Sequence, residues 1–314
     1  MTMPNLAFIF PGQGAQSVGM MAELASEYPI VKETFAQASA VLGYDLWSLS
    51  QNDETGQINM TEITQPLLLT ASVAAWRVWS SITEARPAFL SGHSLGEWSA
   101  LVCAGVVSFE DAVNLVRLRG KYMQEAVPAG VGAMAAVIGL DDESVMKACE
   151  TAAEDQFVAP VNYNAPGQVV IAGHKEAVDR AIVACKASGA KKAMPLAVSA
   201  PFHTILMKPA ATKLAEEIKQ VTFNSPEIPV VHNVSAAQES DPESIKNLMI
   251  QQIYLPVRWV DCVKALSASG VQQAVECGPG KVLSGMIKRI DKSIQCFQSE
   301  TPDAISEAVE AVNA

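Results

Sequence analysis

The chain has 314 residues, of which 49% are hydrophobic and 18% are charged, and its formal net charge is −11. This composition excludes a disordered chain and is sufficient for one large domain with a smaller inserted domain. The acidic balance excludes nucleic acid as the main partner, because neutralising phosphates requires a basic surface.

No apolar run reaches the roughly 18 residues of a membrane-spanning helix, and no basic segment precedes the first apolar run. The six cysteines are scattered along the chain without a Cys-x-x-Cys pair, which favours reduced thiols over a zinc site or a disulfide framework. We therefore expect a cytoplasmic protein with no membrane contact and no bound metal. We also expect it to be a monomer.

The first third of the chain alternates predicted strands with predicted helices. A short apolar run that ends in a glycine-containing turn is typical of a buried strand that leads into a helix. Two such units, separated by helical segments, indicate parallel α/β construction. The predicted elements are strands at residues 6–10 and 88–90, and helices at residues 18–26, at residues 66–82 with Thr64 as the cap, and at residues 97–104.

The stretch from residue 130 to residue 198 has six short elements in the order β-α-β-β-α-β, which is typical of a ferredoxin-like domain. Its predicted elements are strands 133–139, 158–163, 169–172 and 193–198, and helices 142–153 and 175–188. A helix at 206–221 and strands at 230–231 and 273–277 follow. We therefore predict an α/β protein in which residues 1–129 and 199–314 form a discontinuous large domain with a parallel sheet. Residues 130–198 form the ferredoxin-like (βαββαβ) insert, and a ligand cleft lies between the two domains.

The segment Gly92-His93-Ser94-Leu95-Gly96 matches the Gly-x-Ser-x-Gly pattern of a nucleophile elbow. In an elbow, the glycines permit a strained turn between a strand and a helix, which exposes the serine hydroxyl above the sheet. The predicted strand before Ser94 and the predicted helix after it supply this context. Ser94 is therefore the candidate nucleophile, and the Leu95 backbone N–H lies where an oxyanion would form. The alternative is a plain β-α turn in which Ser94 only caps the helix.

A serine hydroxyl needs a base to take its proton, and the chain has four histidines. His203 lies in a turn before a predicted helix, and His232 ends a predicted strand, where it can also be a hydrogen-bonded core residue. Either can be the base, since geometry rather than spacing decides. His93 points to the other side of the turn, and His174 is expected to be a surface or capping residue.

The order of these residues is not that of an ordinary α/β-hydrolase. Such an enzyme runs from serine to an acid and then to a histidine near the C-terminus, whereas no histidine follows His232 here. No triad acid is evident either. A backbone carbonyl can orient the base instead, which would make this a Ser-His dyad.

Arg119 is a charged residue on an apolar helix face. The helix that begins after Ser108, with a capping box between Ser108 and Asp111, places its apolar residues on one broad arc, and Arg119 projects into that arc. A buried guanidinium needs an anion, because an unpaired buried charge is costly. The anion can be an internal Asp or Glu, or a substrate carboxylate that receives two hydrogen bonds.

Two glycine-rich turns match nucleotide-binding motifs only weakly. The turn at residues 12–14 lacks the third glycine of the dinucleotide fingerprint, and the turn at residues 278–281 lacks the spacer and the Ser/Thr of a Walker motif. Gln13 instead lies at the end of the first strand, where a hydrolase-like fold supplies its second oxyanion donor.

Several segments share their order and spacing with one family. They are Gly-Gln-Gly-Ala-Gln (12–16), Gly-His-Ser-Leu-Gly-Glu (92–97), Arg119, Asn-Tyr-Asn-Ala-Pro-Gly-Gln-Val-Val-Ile-Ala-Gly (162–173), Pro-Phe-His (201–203) and residues 276–283. Together they resemble the malonyl-CoA:acyl carrier protein transacylases of type II fatty-acid synthesis. The resemblance spans nearly the whole chain.

The resemblance implies an α/β-hydrolase-like core with a ferredoxin-like insert. It also implies that the protein transfers a malonyl group from malonyl-CoA to the phosphopantetheine thiol of acyl carrier protein, without a cofactor, for fatty-acid biosynthesis. In that reading, Ser94 is the nucleophile, His203 is the base, and Arg119 binds the malonyl carboxylate.

The resemblance further assigns the oxyanion hole to N–H groups of Gln13 and Leu95, and it assigns the orientation of the histidine to the main chain of Gln252. We also expect contacts with the substrate from Met123, Phe202 and Asn162. Phe202, beside the base, should crowd acyl chains that carry an α-substituent, which favours malonyl over methylmalonyl.

Two other functions share some of these features. A serine hydrolase of neutral esters or thioesters would use the same elbow but would give no reason for Arg119. A module that only binds acyl-CoA or a carrier protein, with a decayed site, would not need an intact Ser94, His203 and Arg119.

Overall fold

The computed structural model describes residues 1–198 and 200–313, which form two β-sheets surrounded by helices. The predicted large-domain boundary at Ser199 and the predicted end of that domain at Ala314 lie outside the described residues.

The described strands, in chain order, are β1 (Thr2–Phe10), β2 (Arg86–Gly92), β3 (Gly132–Ile138), β4 (Val158–Ala165), β5 (Gln168–His174), β6 (Lys192–Pro195), β7 (Val230–Val231), β8 (Gln273–Glu276) and β9 (Gln295–Gln298). The helices are α1 (Ala22–Glu27), α2 (Ile30–Leu42), α3 (Leu46–Gln51), α4 (Thr61–Ile82), α5 (Leu95–Cys103), α6 (Phe109–Glu125), α7 (Asp142–Ala153), α8 (Lys175–Ala187), α9 (Lys208–Lys219), α10 (Pro242–Gln251), α11 (Trp259–Ala268), α12 (Val282–Ile290) and α13 (Pro302–Asn313). Short 3₁₀ turns lie at Gln57–Asn59 and Ile205–Met207. Within this described part, none of the helices is long and apolar enough to cross a membrane.

The larger sheet has the strand order β7-β2-β1-β8-β9, and all its neighbouring strands are parallel. Its central strand β1 is fully buried from Leu6 to Phe10, because helices cover both faces of a parallel sheet. The carboxyl ends of parallel strands meet at one edge, where ligands bind in folds of this kind. The turns after β1, β2, β7 and β8 therefore lie at a common edge.

The smaller sheet is antiparallel and has the order β4-β5-β3-β6. Its own hydrophobic core lies between the sheet and helices α7 and α8. Elements β3 to β6 follow one another as β-α-β-β-α-β, so the predicted ferredoxin-like arrangement is confirmed, and so is the α/β class with a parallel sheet.

Strand β4 also contacts the large part of the molecule. The Tyr163 N–H donates to the Val257 carbonyl at 3.0 Å, and the Val257 N–H donates to the Val161 carbonyl at 2.8 Å. Asn162 forms a parallel bridge with Val257 between these two bonds. The small sheet is therefore attached to the large part of the molecule at Val257, shortly after Gln252 in the chain.

Several predicted element ends differ from the structure: for example, β1 begins at Thr2 rather than at residue 6, and the helix predicted at residues 206–221 is the shorter α9, which ends at Lys219. Helix α4 begins at Thr61 rather than Pro66, and Thr64 lies inside it, donating its hydroxyl to the Met60 carbonyl at 3.0 Å. The first turn of α4 packs against α6 so closely that a β-carbon on Gly120 would overlap the Thr61 carbonyl, so tertiary packing extends the helix past the proline. Helix α1 begins at Ala22 rather than at residue 18, because Met21 has a φ of 63°, which no α-helix accommodates. Strand β6 ends at Pro195 rather than at residue 198.

Candidate active site

Ser94 occupies the strained turn between β2 and α5. Its φ of 51° and ψ of −108° are unusual for a residue with a side chain, and its hydroxyl makes no capping hydrogen bond to α5. A β-carbon on Gly92 would overlap the backbone of Gly96, and a β-carbon on Gly96 would overlap the Phe10 carbonyl. Both glycines are therefore required for the turn to form, and the geometry is that of an elbow rather than of a serine helix cap.

His203 lies against the Ser94 hydroxyl. Its Nε2 is 2.8 Å from Ser94 Oγ, and its Nδ1 is 2.7 Å from the Gln252 carbonyl oxygen. Because that carbonyl can only accept, Nδ1 carries the proton and Nε2 is free to accept one from the serine. The structure thus places a backbone carbonyl, rather than a carboxylate, behind this histidine.

The surroundings of His203 keep its imidazole neutral. The side chain is 4% exposed, and burial, followed by the nearby charge of Arg119, lowers its pKa from 6.5 to about 3. The hydrogen bond to Gln252 acts in the opposite direction but is a smaller influence. The imidazole is therefore in its proton-accepting form at neutral pH.

The other histidines have different partners. His232 is fully buried with its Nδ1 2.7 Å from Glu97 Oε1, as expected of a core histidine. The Nε2 of His93 lies 2.7 Å from Asn164 Oδ1 on β4, and burial lowers its pKa. His174 belongs to the small sheet, where its Nδ1 accepts from the backbone N–H of Phe157 at 2.9 Å.

Arg119 is 1% exposed and reaches the nucleophile from α6. Its Nη2 donates to Ser94 Oγ at 3.2 Å and to Gln252 Oε1 at 3.0 Å, while its Nη1 donates to Gln65 Oε1 at 2.8 Å. Among residues 1–198 and 200–313, no carboxylate forms an ion pair with it. An internal Asp or Glu in direct contact is therefore not the anion, and neutral amide oxygens hold the guanidinium.

The charge of Arg119 is sensitive to this environment. Burial lowers its pKa from 12.5 to about 10, and the negative charge of Glu97 acts against that change. The helix that carries it begins as predicted, because the Ser108 hydroxyl accepts from the Asp111 N–H at 3.1 Å. Because its pKa of about 10 lies well above 7, the guanidinium is charged at neutral pH. Its Nε has no partner among the described residues.

A cavity of about 310 Å³ contains the reactive groups. Ser94, His203 and Arg119 all line it, together with five of the residues predicted from the sequence: Gln13, Leu95, Met123, Asn162 and Phe202. Leu95 is the first residue of α5, so its N–H belongs to the helix terminus that has no intrahelical partner. The side-chain oxygen of Asn162 is buried without a partner among the described residues. Gln252 lies behind the cavity and is fully buried.

Three residues that hold this site were not found from the sequence. Gln65 accepts from Arg119, and Asn233 Oδ1 accepts from the Ser94 N–H at 2.8 Å. Glu97 accepts from the side chain of Gln252 at 2.6 Å. One signal was available for Asn233, because it follows His232 directly after the buried strand β7, at the edge where strand ends meet. Gln65 lies on a helix and carries no such signal, whereas Glu97 ends the 92–97 segment of the family resemblance, in which no role was assigned to it.

Residues 7–306 match the family model of the acyl transferase domain. The chain belongs to this family of acyltransferases. A malonyl CoA-acyl carrier protein transacylase of Salmonella typhimurium is 58% identical to it over 307 residues, which cover 98% of this chain and 99% of the relative. A protein of the same name from Staphylococcus aureus is 44% identical over 300 residues, which cover 95% of this chain and 96% of the relative.

Solved structures resemble the whole of this acyltransferase. An acyl carrier protein S-malonyltransferase from Vibrio cholerae is 55% identical with a TM-score of 0.95, and the match covers 96% of this chain and 99% of that one. A malonyl-transacylase solved in complex with its type II PKS acyl-carrier protein (PlMCAT:AntF) is 52% identical with a TM-score of 0.96, covering 98% and 99%. The enzyme class and the two-sheet fold are therefore those of its relatives.

In this acyltransferase, an acyl group on Ser94 Oγ would lie beside both His203 and Arg119. The hydroxyl, the base and the guanidinium share one cavity at the carboxyl edge of the large sheet. The arrangement can form an acyl-serine and can hold a negatively charged acyl group.

Proposed function

We propose that this acyltransferase transfers a malonyl group from malonyl-CoA to the phosphopantetheine thiol of acyl carrier protein, for fatty-acid biosynthesis. The observation that carries the proposal is the buried guanidinium of Arg119. It lies 3.2 Å from the Ser94 hydroxyl and forms no ion pair with a described carboxylate. The names of the relatives support the same acyl group and the same kind of partner.

In the first half-reaction, Ser94 Oγ attacks the thioester carbonyl carbon of malonyl-CoA and passes its proton to Nε2 of His203. The carbonyl electrons move onto oxygen, and N–H groups of Gln13 and Leu95 donate hydrogen bonds to the resulting oxyanion. When the carbonyl re-forms, the C–S bond breaks and His203 returns the proton to the departing thiolate. The products are malonyl-Ser94 and coenzyme A.

In the second half-reaction, the phosphopantetheine thiol of acyl carrier protein gives its proton to His203 and attacks the malonyl-serine ester. The new C–S bond forms, the C–O bond to Ser94 breaks, and His203 returns the proton to Ser94 Oγ. The enzyme is thereby regenerated. Both half-reactions use groups of one chain and no cofactor, and we propose that the protein acts as a cytoplasmic monomer.

Arg119 selects the acyl group in this mechanism. A malonyl carboxylate can take two hydrogen bonds from the guanidinium, which replaces the weaker contact with the Ser94 hydroxyl. Gln65 and Gln252 hold the guanidinium without neutralising it, so its charge remains available for the substrate. An acetyl group offers no carboxylate and gains nothing from Arg119.

Three further residues complete the proposed acyl site. Met123 is 2% exposed and Phe202 is 8% exposed, and both contribute apolar wall to the cavity. Phe202 precedes the base in the chain and would crowd an α-methyl group on the acyl chain. Asn162 has an unpartnered side-chain oxygen that is available for a hydrogen bond with the substrate.

The test is intact mass spectrometry after incubation with malonyl-CoA. We expect a mass increase of one malonyl group that is absent from a Ser94→Ala variant, and we expect holo acyl carrier protein to discharge it much faster than water does. Rapid hydrolysis of malonyl-CoA without transfer would indicate a serine hydrolase instead. Binding of malonyl-CoA without an adduct would indicate a binding module, and either result would overturn the proposal.

A further inference from the structure

Glu97 is a buried carboxylate beneath the elbow, on the first turn of α5. It is 1% exposed, and three groups approach its two oxygens. Nδ1 of His232 lies 2.7 Å from Oε1, while the Gln252 side-chain N–H₂ and the Asn233 backbone N–H donate to Oε2 at 2.6 and 3.1 Å. A carboxylate buried to this extent needs such partners, but these partners also hold the active site.

Gln252 connects Glu97 to both functional side chains. Its side-chain nitrogen donates to Glu97 and, at 2.9 Å, to the Ser94 carbonyl. Its side-chain oxygen accepts from Nη2 of Arg119 at 3.0 Å, and its main-chain oxygen accepts from His203 at 2.7 Å. One residue therefore separates Glu97 from the guanidinium and from the base.

We propose that Glu97 is a positioning residue, and this proposal rests on the function proposed above. The carboxylate of Glu97 fixes the side-chain amide of Gln252 so that the amide oxygen faces Arg119. An amide can rotate by half a turn with little change in shape, and its neighbours decide which end points where. In the reversed orientation, the amide oxygen would face a carboxylate and its N–H₂ would face the guanidinium donors. Glu97 excludes that orientation, and Arg119 is thereby held in line with the acyl group on Ser94.

The second partner, Asn233, extends the same control to the nucleophile. Its backbone N–H donates to Glu97, its side-chain oxygen accepts from the Ser94 N–H at 2.8 Å, and its side-chain nitrogen donates to the Gly92 carbonyl at 2.7 Å. The strained turn is therefore tied at the Gly92 carbonyl and at the Ser94 N–H to a residue that Glu97 holds.

The measurable consequence is the ratio of malonyl transfer to acetyl transfer. Both rates come from one enzyme preparation, so the ratio does not depend on the fraction of the protein that is folded. Replacing Glu97 by leucine or alanine leaves the Ser94 carbonyl as the remaining close acceptor of the Gln252 side-chain N–H₂. The amide is then held less firmly and Arg119 is misaligned, which matters only for the acyl group that has a carboxylate. We expect the malonyl-to-acetyl ratio of kcat/KM to fall at least about tenfold in both variants, since a small misplacement of a positioning group costs one to two orders of magnitude.

Glu97→Gln is the rescue variant. Its amide oxygen can still accept from Gln252 and Asn233, and its amide nitrogen can donate to Nδ1 of His232 if the ring proton moves to Nε2, which has no partner among the described residues. We expect its ratio to stay within about threefold of the wild type, because an acceptor remains where Gln252 needs one.

Glu276→Leu is the matched control. Glu276 is also fully buried, and its carboxylate accepts from the Leu283 N–H, the Ser284 N–H and the Ser284 hydroxyl at 2.7 to 2.9 Å. Its partners lie on α12 and not on the network around Gln252, so this variant should lose stability without changing the ratio.

Arg119→Ala separates the two proposals. If the wild type transfers malonyl but Arg119→Ala leaves the ratio unchanged, the role of Arg119 fails and the positioning role of Glu97 fails with it, whereas the proposed function stands; a wild type that does not transfer malonyl would overturn the proposed function itself. If Arg119→Ala lowers the ratio while the leucine and alanine variants of Glu97 lose both activities equally or completely, Glu97 is structural only. A low ratio in Glu97→Gln equal to that of the leucine variant would likewise overturn the positioning role.

Discussion

The depressed pKa of His203 predicts how the stability of the protein depends on pH. The unfolded imidazole has an ordinary pKa of 6.5, whereas burial and the charge of Arg119 lower the folded value to about 3. Between these values the unfolded chain binds a proton that the folded chain does not, so stability falls as the pH falls below 6.5. Between pH 7.5 and pH 5.5, this single group should cost about 1.4 kcal/mol of unfolding free energy.

The assay is urea unfolding of the wild type and of His203→Asn at both pH values. Asparagine is chosen because residue 203 has a φ of 62°, which asparagine tolerates better than most residues. The buried His93, whose pKa burial also lowers, is present in both proteins, so its contribution cancels in the comparison. We expect the wild type to lose about 1.4 kcal/mol more than the variant on acidification. Parallel losses in the two proteins would refute a depressed pKa of His203 and, with it, the account of the neutral base.

Three further predictions concern the acyl site and the elbow. Arg119→Ala should lower kcat/KM for malonyl transfer by about 100-fold or more, because the buried carboxylate of the malonyl group loses its charged partner. Acetyl transfer should be affected far less. Equal losses of both activities in steady-state assays would mean that Arg119 is structural. The wild type should transfer malonyl faster than methylmalonyl. Phe202→Ala should reduce the ratio of the malonyl rate to the methylmalonyl rate roughly tenfold, because it opens space for the extra methyl group. Comparable wild-type rates for the two thioesters would contradict the crowding by Phe202. Gly96→Ala should lower the free energy of unfolding by about 2 kcal/mol or more, because the new β-carbon overlaps the Phe10 carbonyl. The control is Gly285→Ala in α12, where a β-carbon meets open space, and this variant should be neutral or stabilising by up to about 1 kcal/mol. Thermal unfolding measures both variants.

The local signals in the sequence were sufficient for the elements around the nucleophile. The apolar run that ends at Phe10 and the Gly-x-Ser-x-Gly segment each describe a strand and a turn in a few consecutive residues, and the structure has them there, with helix α5 directly after the second turn. The burial of Arg119 also followed from the periodicity of one helix. Such features depend on neighbours within a turn or two, which is why a single sequence contains them.

Residue patterns alone could not choose the base. His203 and His232 were both compatible with the sequence, and a family resemblance, rather than spacing, favoured His203. In the structure, His203 lies 2.8 Å from Ser94 Oγ across 109 residues of chain, whereas His232 directly follows strand β7 and lies beside Glu97. Which of two polar residues faces a nucleophile depends on how the strands are ordered in the sheet, and composition does not encode that order locally.

The partners that hold the reactive groups were decided by tertiary structure alone. Gln65, Glu97 and Asn233 come from two helices and a strand end, and they meet at the site only because β7 lies beside β2 and α4 packs against α6. The sequence by itself determined that a serine is presented on a strained turn and that a cation is buried nearby. The tertiary structure decided which oxygen atoms hold that cation and which histidine faces the serine, because these contacts join residues that only the packing of distant elements brings together.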